Sequence, residues 1–227
     1  MTDSTPAPDA APPKKNASSL APFNPTCDQA LATTLKMLEL TDKDVLFDLG
    51  CGDARSLMHA AQNTPGLRCV GIELDPVFVQ RGRQALKELP EDVQRRVDIR
   101  RGDLLQLLKE VQGENCQENG AEHDNISNQE DEEYQKSSLG IDCRDLTLFK
   151  DATALYMFLL PKGIQKIQGL LDALAEPRQR PFRVVAYMFS IRKWEPVMVD
   201  KTTKGDAPLY LYRFGPEEDI LKGAEGE

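Results

Sequence analysis

No stretch of this 227-residue chain is apolar for the roughly 20 residues that a membrane-spanning helix requires, which predicts a soluble protein. Cysteine is sparse and unpatterned: Cys27, Cys51, Cys69, Cys116 and Cys143 form no C-x-x-C and are odd in number. That argues against a disulfide framework and for reduced thiols in an intracellular, cytoplasmic protein. Histidine adds only His59 and His123, too few for a zinc centre, so no metal site is expected. Met1 to Leu20 contains no arginine and carries Asp3 and Asp9, a poor match to a mitochondrial presequence. Rich in Ala, Pro and Ser, that stretch reads as a disordered leader.

Negative charge, by contrast, is in excess. The formal net charge of −9 argues against a nucleic-acid partner, and its location narrows the point. Gly113 to Tyr134 holds eight acidic residues and neither Lys nor Arg, so nearly all of the net charge sits there and the remaining chain is close to neutral. Few apolar residues, many Asn and Gln and no helical or strand period mark a flexible insertion at about residues 112–140. It interrupts a single domain over residues 21–215, with 216–227 as a tail. A solvated loop is the plain reading of such a charge run; a docking site for a basic partner is the other.

Thr26 and Gln29 have the spacing of a capping box, ahead of Leu31, Leu35 and Leu38 at helical period, which predicts a helix ending near Leu40. VLFDL, Val45 to Leu49, reads as a short buried strand ended by Gly50 and Gly52, and Asp53 is placed to cap the helix-forming ARSLMHAAQN. The plan then repeats. RCVGIEL (Arg68 to Leu74) is a strand, Asp75 an N-cap, Pro76 suits the first helical turn, and Pro90 closes that helix. VDIRRGDLL begins as a third strand with Gly102 and Asp103 near its end. Past the insertion, Ala152 to Leu160 is almost continuously apolar, a strand buried on both faces that Pro161 stops. Ile164, Ile167, Leu171 and Leu174 then line one side of a helix, Phe182 to Phe189 makes a fifth strand and Ala207 to Phe214 a final one. This alternation predicts an α/β fold, a doubly wound, mostly parallel sheet with helices on both faces. Ligands of such sheets sit beyond the carboxyl ends of the strands, near the switch point. Gly50 to Asp53, Glu73, Asp103 and the Tyr156 to Pro161 stretch therefore gather around one crevice.

The Gly50-Cys51-Gly52 turn lets backbone approach a ligand and is compatible with several nucleotides. A dinucleotide fingerprint wants a further glycine where this chain has Arg55, and Asp48 would set a negative charge near pyrophosphate. S-adenosylmethionine reverses that sign: it carries an ammonium and a sulfonium and no phosphate. Asp48 then suits the ammonium, Glu73 the ribose hydroxyls and Asp103 the adenine amino group. Each has a plainer reading, Asp48 and Asp103 as turn or cap formers and Glu73 as a solvated strand-end charge. For Asp53 capping is preferred. Cys51 reads as a small residue filling the turn, since nothing nearby in sequence lowers its pKa.

DLGCGDAR, VGIELDP and RRGDLL resemble the first three binding motifs of class I S-adenosylmethionine-dependent methyltransferases. APFNPT (Ala21 to Thr26), LYMFLLP (Leu155 to Pro161) and FSIRKWEP (Phe189 to Pro196) are similar to a narrower group of small bacterial methyltransferases. That group is in turn similar to the lysine methyltransferases of the mitochondrial ATP synthase c subunit and adenine nucleotide translocase. The resemblance covers about Pro22 to Phe214 apart from the insertion. It implies a seven-stranded Rossmann-like methyltransferase sheet, S-adenosylmethionine as cofactor and Asp48, Gly50, Cys51, Gly52, Glu73 and Asp103 as its binding residues. Ala54 stands where the family commonly has glycine, and the hydrophobic membrane segment of the mitochondrial members is lacking, so a soluble protein substrate fits better than a membrane-embedded one.

The implied reaction is protein-lysine N-methylation by in-line displacement, with Tyr156 as the acceptor-positioning residue. Met157 and Leu159 read better as core, Phe158 could wall the acceptor entrance, and Trp194 and Glu195 either line the same mouth or pin a loop. Methylation of a small molecule or RNA is the alternative within enzymes, and a non-catalytic S-adenosylmethionine-binding subunit is the alternative outside them.

Overall fold

The computed structural model describes residues 25–111, 149, 151–176 and 180–216; the leader, the acidic insertion and the tail beyond residue 216 lie outside them. β1 (Val45–Leu49) is buried at all five positions, as a central strand covered on both faces must be. β2 (Arg68–Glu73) and β3 (Val97–Arg101) extend the sheet in parallel on one side of it, β4 (Ala154–Met157) and β5 (Phe182–Tyr187) on the other. β6 (Met198–Asp200) and β7 (Leu209–Phe214) complete seven strands in the order β3-β2-β1-β4-β5-β7-β6, with β7 antiparallel to both neighbours. The chain leaves β1 toward β2 and β3 and later returns to β1's other edge as β4, so the switch point falls between the carboxyl ends of β1 and β4.

α1 (Asp28–Leu38), α2 (Arg55–Asn63), α3 (Pro76–Lys87) and the short α4 (Glu91–Gln94) cover one face of the sheet. α5 (Leu104–Val111), α6 (Pro161–Lys166) and α7 (Gln168–Ala175) cover the other. Leu46, Ala154, Tyr156 and Val185 point into the first layer, and Phe47, Leu49, Leu155 and Val184 into the second, the period-two alternation of buried strands. Among the described residues no helix is long and apolar enough to cross a membrane.

Several local expectations are corrected. The Thr26–Gln29 capping box does not form: Cys27 is the N-cap of α1 without a side-chain cap, the Thr26 hydroxyl pairs with Tyr156 instead, and Gln29 reaches the carbonyl of Thr202. Asp53 is not the N-cap residue of α2, although its carboxylate accepts from the Arg55 amide at 3.4 Å. The N-cap there is Ala54 in the left-handed region, and the Asp53 carboxylate is taken by the Arg55 guanidinium 2.7 Å away. Pro90 not only ends the α3 region but is the N-cap of α4. β4 ends at Met157, short of Leu160, because its partner β1 turns away after Leu49, the residue opposite Met157. The helix after Pro161 breaks at Ile167 into α6 and α7, although Ile164, Ile167, Leu171 and Leu174 are all buried as expected. β6 completes the seven strands that the resemblance implies, at a position the residue pattern does not mark.

Candidate active site

At the carboxyl end of β1 the chain turns through left-handed φ values at Gly50 (+80°), Gly52 (+56°) and Ala54 (+59°). Gly50 satisfies a second demand as well: a Cβ there would meet Leu159 Cδ2 at 3.0 Å. The Gly50 and Cys51 amides donate to the Ile72 carbonyl at 2.8 and 3.1 Å, which locks the turn onto β2. Cys51 then lays its sulfur over Gly71, where an added Cβ would come within 2.6 Å of it. Burial, and after it the charges of Asp48 and Glu73, push the Cys51 thiol well above its ordinary pKa, so it fills space and is no nucleophile.

Glu73 ties three pieces together. Oε2 accepts from the Gly52 amide at 2.9 Å, Oε1 from the Asp75 amide at 2.9 Å, and its carbonyl from the Gly102 amide at 2.9 Å. The carboxylate is half-buried and borders the turn, the start of α3 and the end of β3 at once. Asp75 caps α3 by accepting from the Val77 amide, with Pro76 in the first turn. Beyond Gly102, the half-buried Asp103 accepts from the Leu105 amide at 2.8 Å and so opens α5.

Asp48 lies at the floor. It is 2% exposed, and its Oδ2 accepts from the Ser56 hydroxyl in the first turn of α2. Burial pushes its pKa up to about 7; the Ser56 hydrogen bond opposes the shift, and the charges of Glu73 and Asp53 add to it. Tyr156 sits opposite Asp48 in the sheet register and is also 2% exposed. Its hydroxyl and that of Thr26 share a hydrogen bond of 2.7 Å, and burial, followed by the Asp48 charge, drives the phenol well above its usual range. Further along the same face, Phe158 and Tyr187 meet edge to face with centroids 4.8 Å apart. Met157 and Leu159 are core.

The structure thus brings Asp48, Gly50, Cys51, Gly52, Glu73 and Asp103 together at the carboxyl ends of β1, β2 and β3, with Tyr156 buried one strand away. Trp194 goes elsewhere: its indole donates to Asp172 at 3.0 Å and packs against Phe214 and Tyr212, pinning its loop to the α7 side of the sheet. Ser56, Gly71 and Tyr187 escaped the sequence reading. Gly71 alone had a signal, since glycine inside a strand marks a close approach. Among the described residues no group of three or more His, Cys, Asp or Glu is arranged to hold a metal ion.

A sheet in this order, with β7 reversed and a carboxylate-flanked glycine turn after β1, has the class I S-adenosylmethionine-dependent methyltransferase fold. The RNA methyltransferase of Salinibacter ruber, solved in complex with S-adenosyl-L-homocysteine, superposes with a TM-score of 0.58 at 24% identity, over 86% of this chain and 95% of that one. Precorrin-6y C5,15-methyltransferase of Geobacter metallireducens gives 0.51 at 16% identity, over 87% and 93%. In sequence the chain is similar to a protein-lysine N-methyltransferase of Saccharolobus islandicus, 25% identical over 197 residues that span 86% of this chain and 94% of the relative. No family model matches the chain.

Proposed function

We propose that this chain is an S-adenosylmethionine-dependent methyltransferase that methylates the side-chain amine of a protein lysine. The cofactor half rests on one observation: the charged groups bearing on the buried Asp48 carboxylate are themselves carboxylates, Glu73 and Asp53. Such a floor repels phosphate and accepts a cation. The donor set fits the group, with Asp48 toward the ammonium, Glu73 toward the ribose, Asp103 toward the adenine amine, and Gly50, Cys51 and Gly52 giving close backbone approach. When bound, S-adenosylmethionine supplies a methyl group already activated on sulfur.

What is left for the chain's own residues is to orient the acceptor and strip it of water and of its proton. Lysine starts protonated, with a reference pKa of about 10.4, and an apolar pocket lowers it. Phe158 and Tyr187 offer aromatic walls that can guide and desolvate an ammonium. Tyr156 serves acceptor positioning through Thr26, by tying the chain ahead of α1 to β4. A protein lysine is supported by the name of the Saccharolobus islandicus relative and by the narrower resemblance to lysine methyltransferases. Outside the acidic insertion the chain is close to neutral and has no basic excess to hold a phosphate backbone, which favours protein over RNA.

The test has two stages. Calorimetric titration of wild type, Asp48→Ala and Glu73→Ala with S-adenosylmethionine and S-adenosylhomocysteine should show binding that each substitution abolishes; a folded wild type that binds neither ligand sinks the cofactor half. Tritiated-methyl transfer to cell lysate should then label protein and yield methyllysine on hydrolysis. Label sensitive to ribonuclease would instead replace lysine by RNA.

A further inference from the structure

Asp48 receives a hydrogen bond from Ser56, eight residues on and across the turn, and both side chains are buried at 2% and 8% exposure. The titratable groups facing Asp48 are Glu73 and Cys69 from β2, Asp53 and Cys51 from the turn, and Tyr156 from β4. Each is an acid, so every ionisation among them disfavours a charge on Asp48, as burial does. The Ser56 hydroxyl acts in the opposite direction, because a donor to the carboxylate stabilises the ionised form. Without a ligand the balance lies close to neutrality, with Asp48 raised to about 7.

Resting on the cofactor reading above, we propose that Ser56 is a positioning residue for cofactor capture: its hydroxyl holds Asp48 aimed and ready to ionise, and binding of the cofactor's ammonium expels one proton from Asp48 to solvent. Charge balances in that step. A buried neutral acid becomes a carboxylate as a buried cation arrives, so the crevice floor gains no net charge. Capture of the amino-acid end then strengthens as pH rises through neutrality.

Calorimetry of the full chain in buffers of different ionisation enthalpy tests this, with S-adenosylhomocysteine beside 5′-methylthioadenosine, which keeps the adenosine end and lacks the ammonium. S-adenosylhomocysteine binding should release up to one proton and weaken toward tenfold per unit as pH falls below about 7, while 5′-methylthioadenosine binding should stay flat. Ser56→Ala should move the midpoint upward, losing about tenfold near pH 7 and much less near pH 8.5, and Ser56→Thr should restore the wild-type profile. Proton release by the wild type reads the coupling even where a variant fails to fold. Binding of S-adenosylhomocysteine without proton release or pH dependence would overturn the proposal, as would a Ser56→Ala loss equal at every pH. A folded wild type that binds neither ligand would remove the cofactor reading itself.

Discussion

Asp44 and Asp48 bracket β1, one at each end of the same buried strand, and their surroundings differ in sign. Asp44 accepts from the Thr41 amide and hydroxyl at 2.8 and 2.9 Å, from the Thr153 hydroxyl at 2.7 Å and from the Arg183 guanidinium, which also reaches the Leu38 and Glu39 carbonyls. Burial alone would raise its pKa, but the Thr153 and Thr41 hydrogen bonds and the Arg183 charge outweigh burial and leave it below the usual carboxylate range. Asp48 has the Ser56 hydroxyl and two carboxylate neighbours, and is pushed up to about 7. A fold that only needed stability would treat both ends like Asp44. The end that leaves a buried acid facing other acids is the one to which the proposed function assigns the cofactor.

The sharpest way to break this contrast is to remove one group at each end. Arg183→Ala strips the cation from a buried ion pair whose side chains are 15% and 9% exposed, and should cost about 3–5 kcal/mol in urea unfolding. Cofactor affinity of the protein that remains folded should not change. Asp48→Asn should do the reverse, lowering affinity by at least about tenfold while leaving stability near pH 7 equal or higher, because a desolvated charge has been removed. Equal destabilisation by the two substitutions would erase the distinction between the ends.

A pH series resolves the same two carboxylates without mutation. Asp48 has a folded pKa near 7 and an unfolded value near 3.9, so the folded state holds more protons between those limits. Stability of the ligand-free protein should therefore fall as pH rises from about 4 to about 7, by up to about 4 kcal/mol from this group. Asp44 has the opposite sign: its contribution is present above the unfolded carboxylate pKa and is lost as pH falls through its lowered folded value. Urea midpoints should peak on the acid side of neutrality and then drop. In Asp48→Asn the fall toward pH 7 should vanish and the acid drop should remain.

The parts of this arrangement that could be read in advance are those written in local pattern. The apolar runs at Val45 to Leu49 and Ala152 to Leu160, and Asp75 followed by Pro76, each announce their element within a few residues. Carboxylates at strand ends could be gathered into one crevice because parallel α/β sheets bind ligands there. What stayed hidden depends on partners distant in the chain or on exposure. Thr26 is claimed by Tyr156, 130 residues away, which removes the capping box, and Asp44 meets Arg183 across 139 residues. β6 buries none of its three residues and is held by pairing with β7; the apolar run Val197, Met198 and Val199 is exposed and too short to announce a strand. Ser56 reaches Asp48 only because the turn between them folds back, and nothing in the spacing of two polar residues foretells that.

The smallest effect is expected inside the turn, where Gly50 and Ala54 share the left-handed region and differ in side chain. Gly50→Ala should cost about 1–2 kcal/mol from backbone strain, and more if Leu159 cannot move from the 3.0 Å contact a Cβ would make. Ala54→Gly relieves the same strain, about 1 kcal/mol, but loses a fully buried methyl worth about 0.8 kcal/mol and adds the entropy of a freer unfolded chain, about 0.5–1 kcal/mol. These terms nearly cancel, so stability should shift by less than about 1 kcal/mol, slightly downward. Cofactor affinity should hold within about twofold, because the Ala54 methyl is fully buried and the Gly50 and Cys51 amides remain fixed on Ile72. A large affinity loss in Ala54→Gly with unchanged stability would mean that the strained alanine, rather than the carboxylates at the carboxyl end of β1, sets the shape of the binding turn.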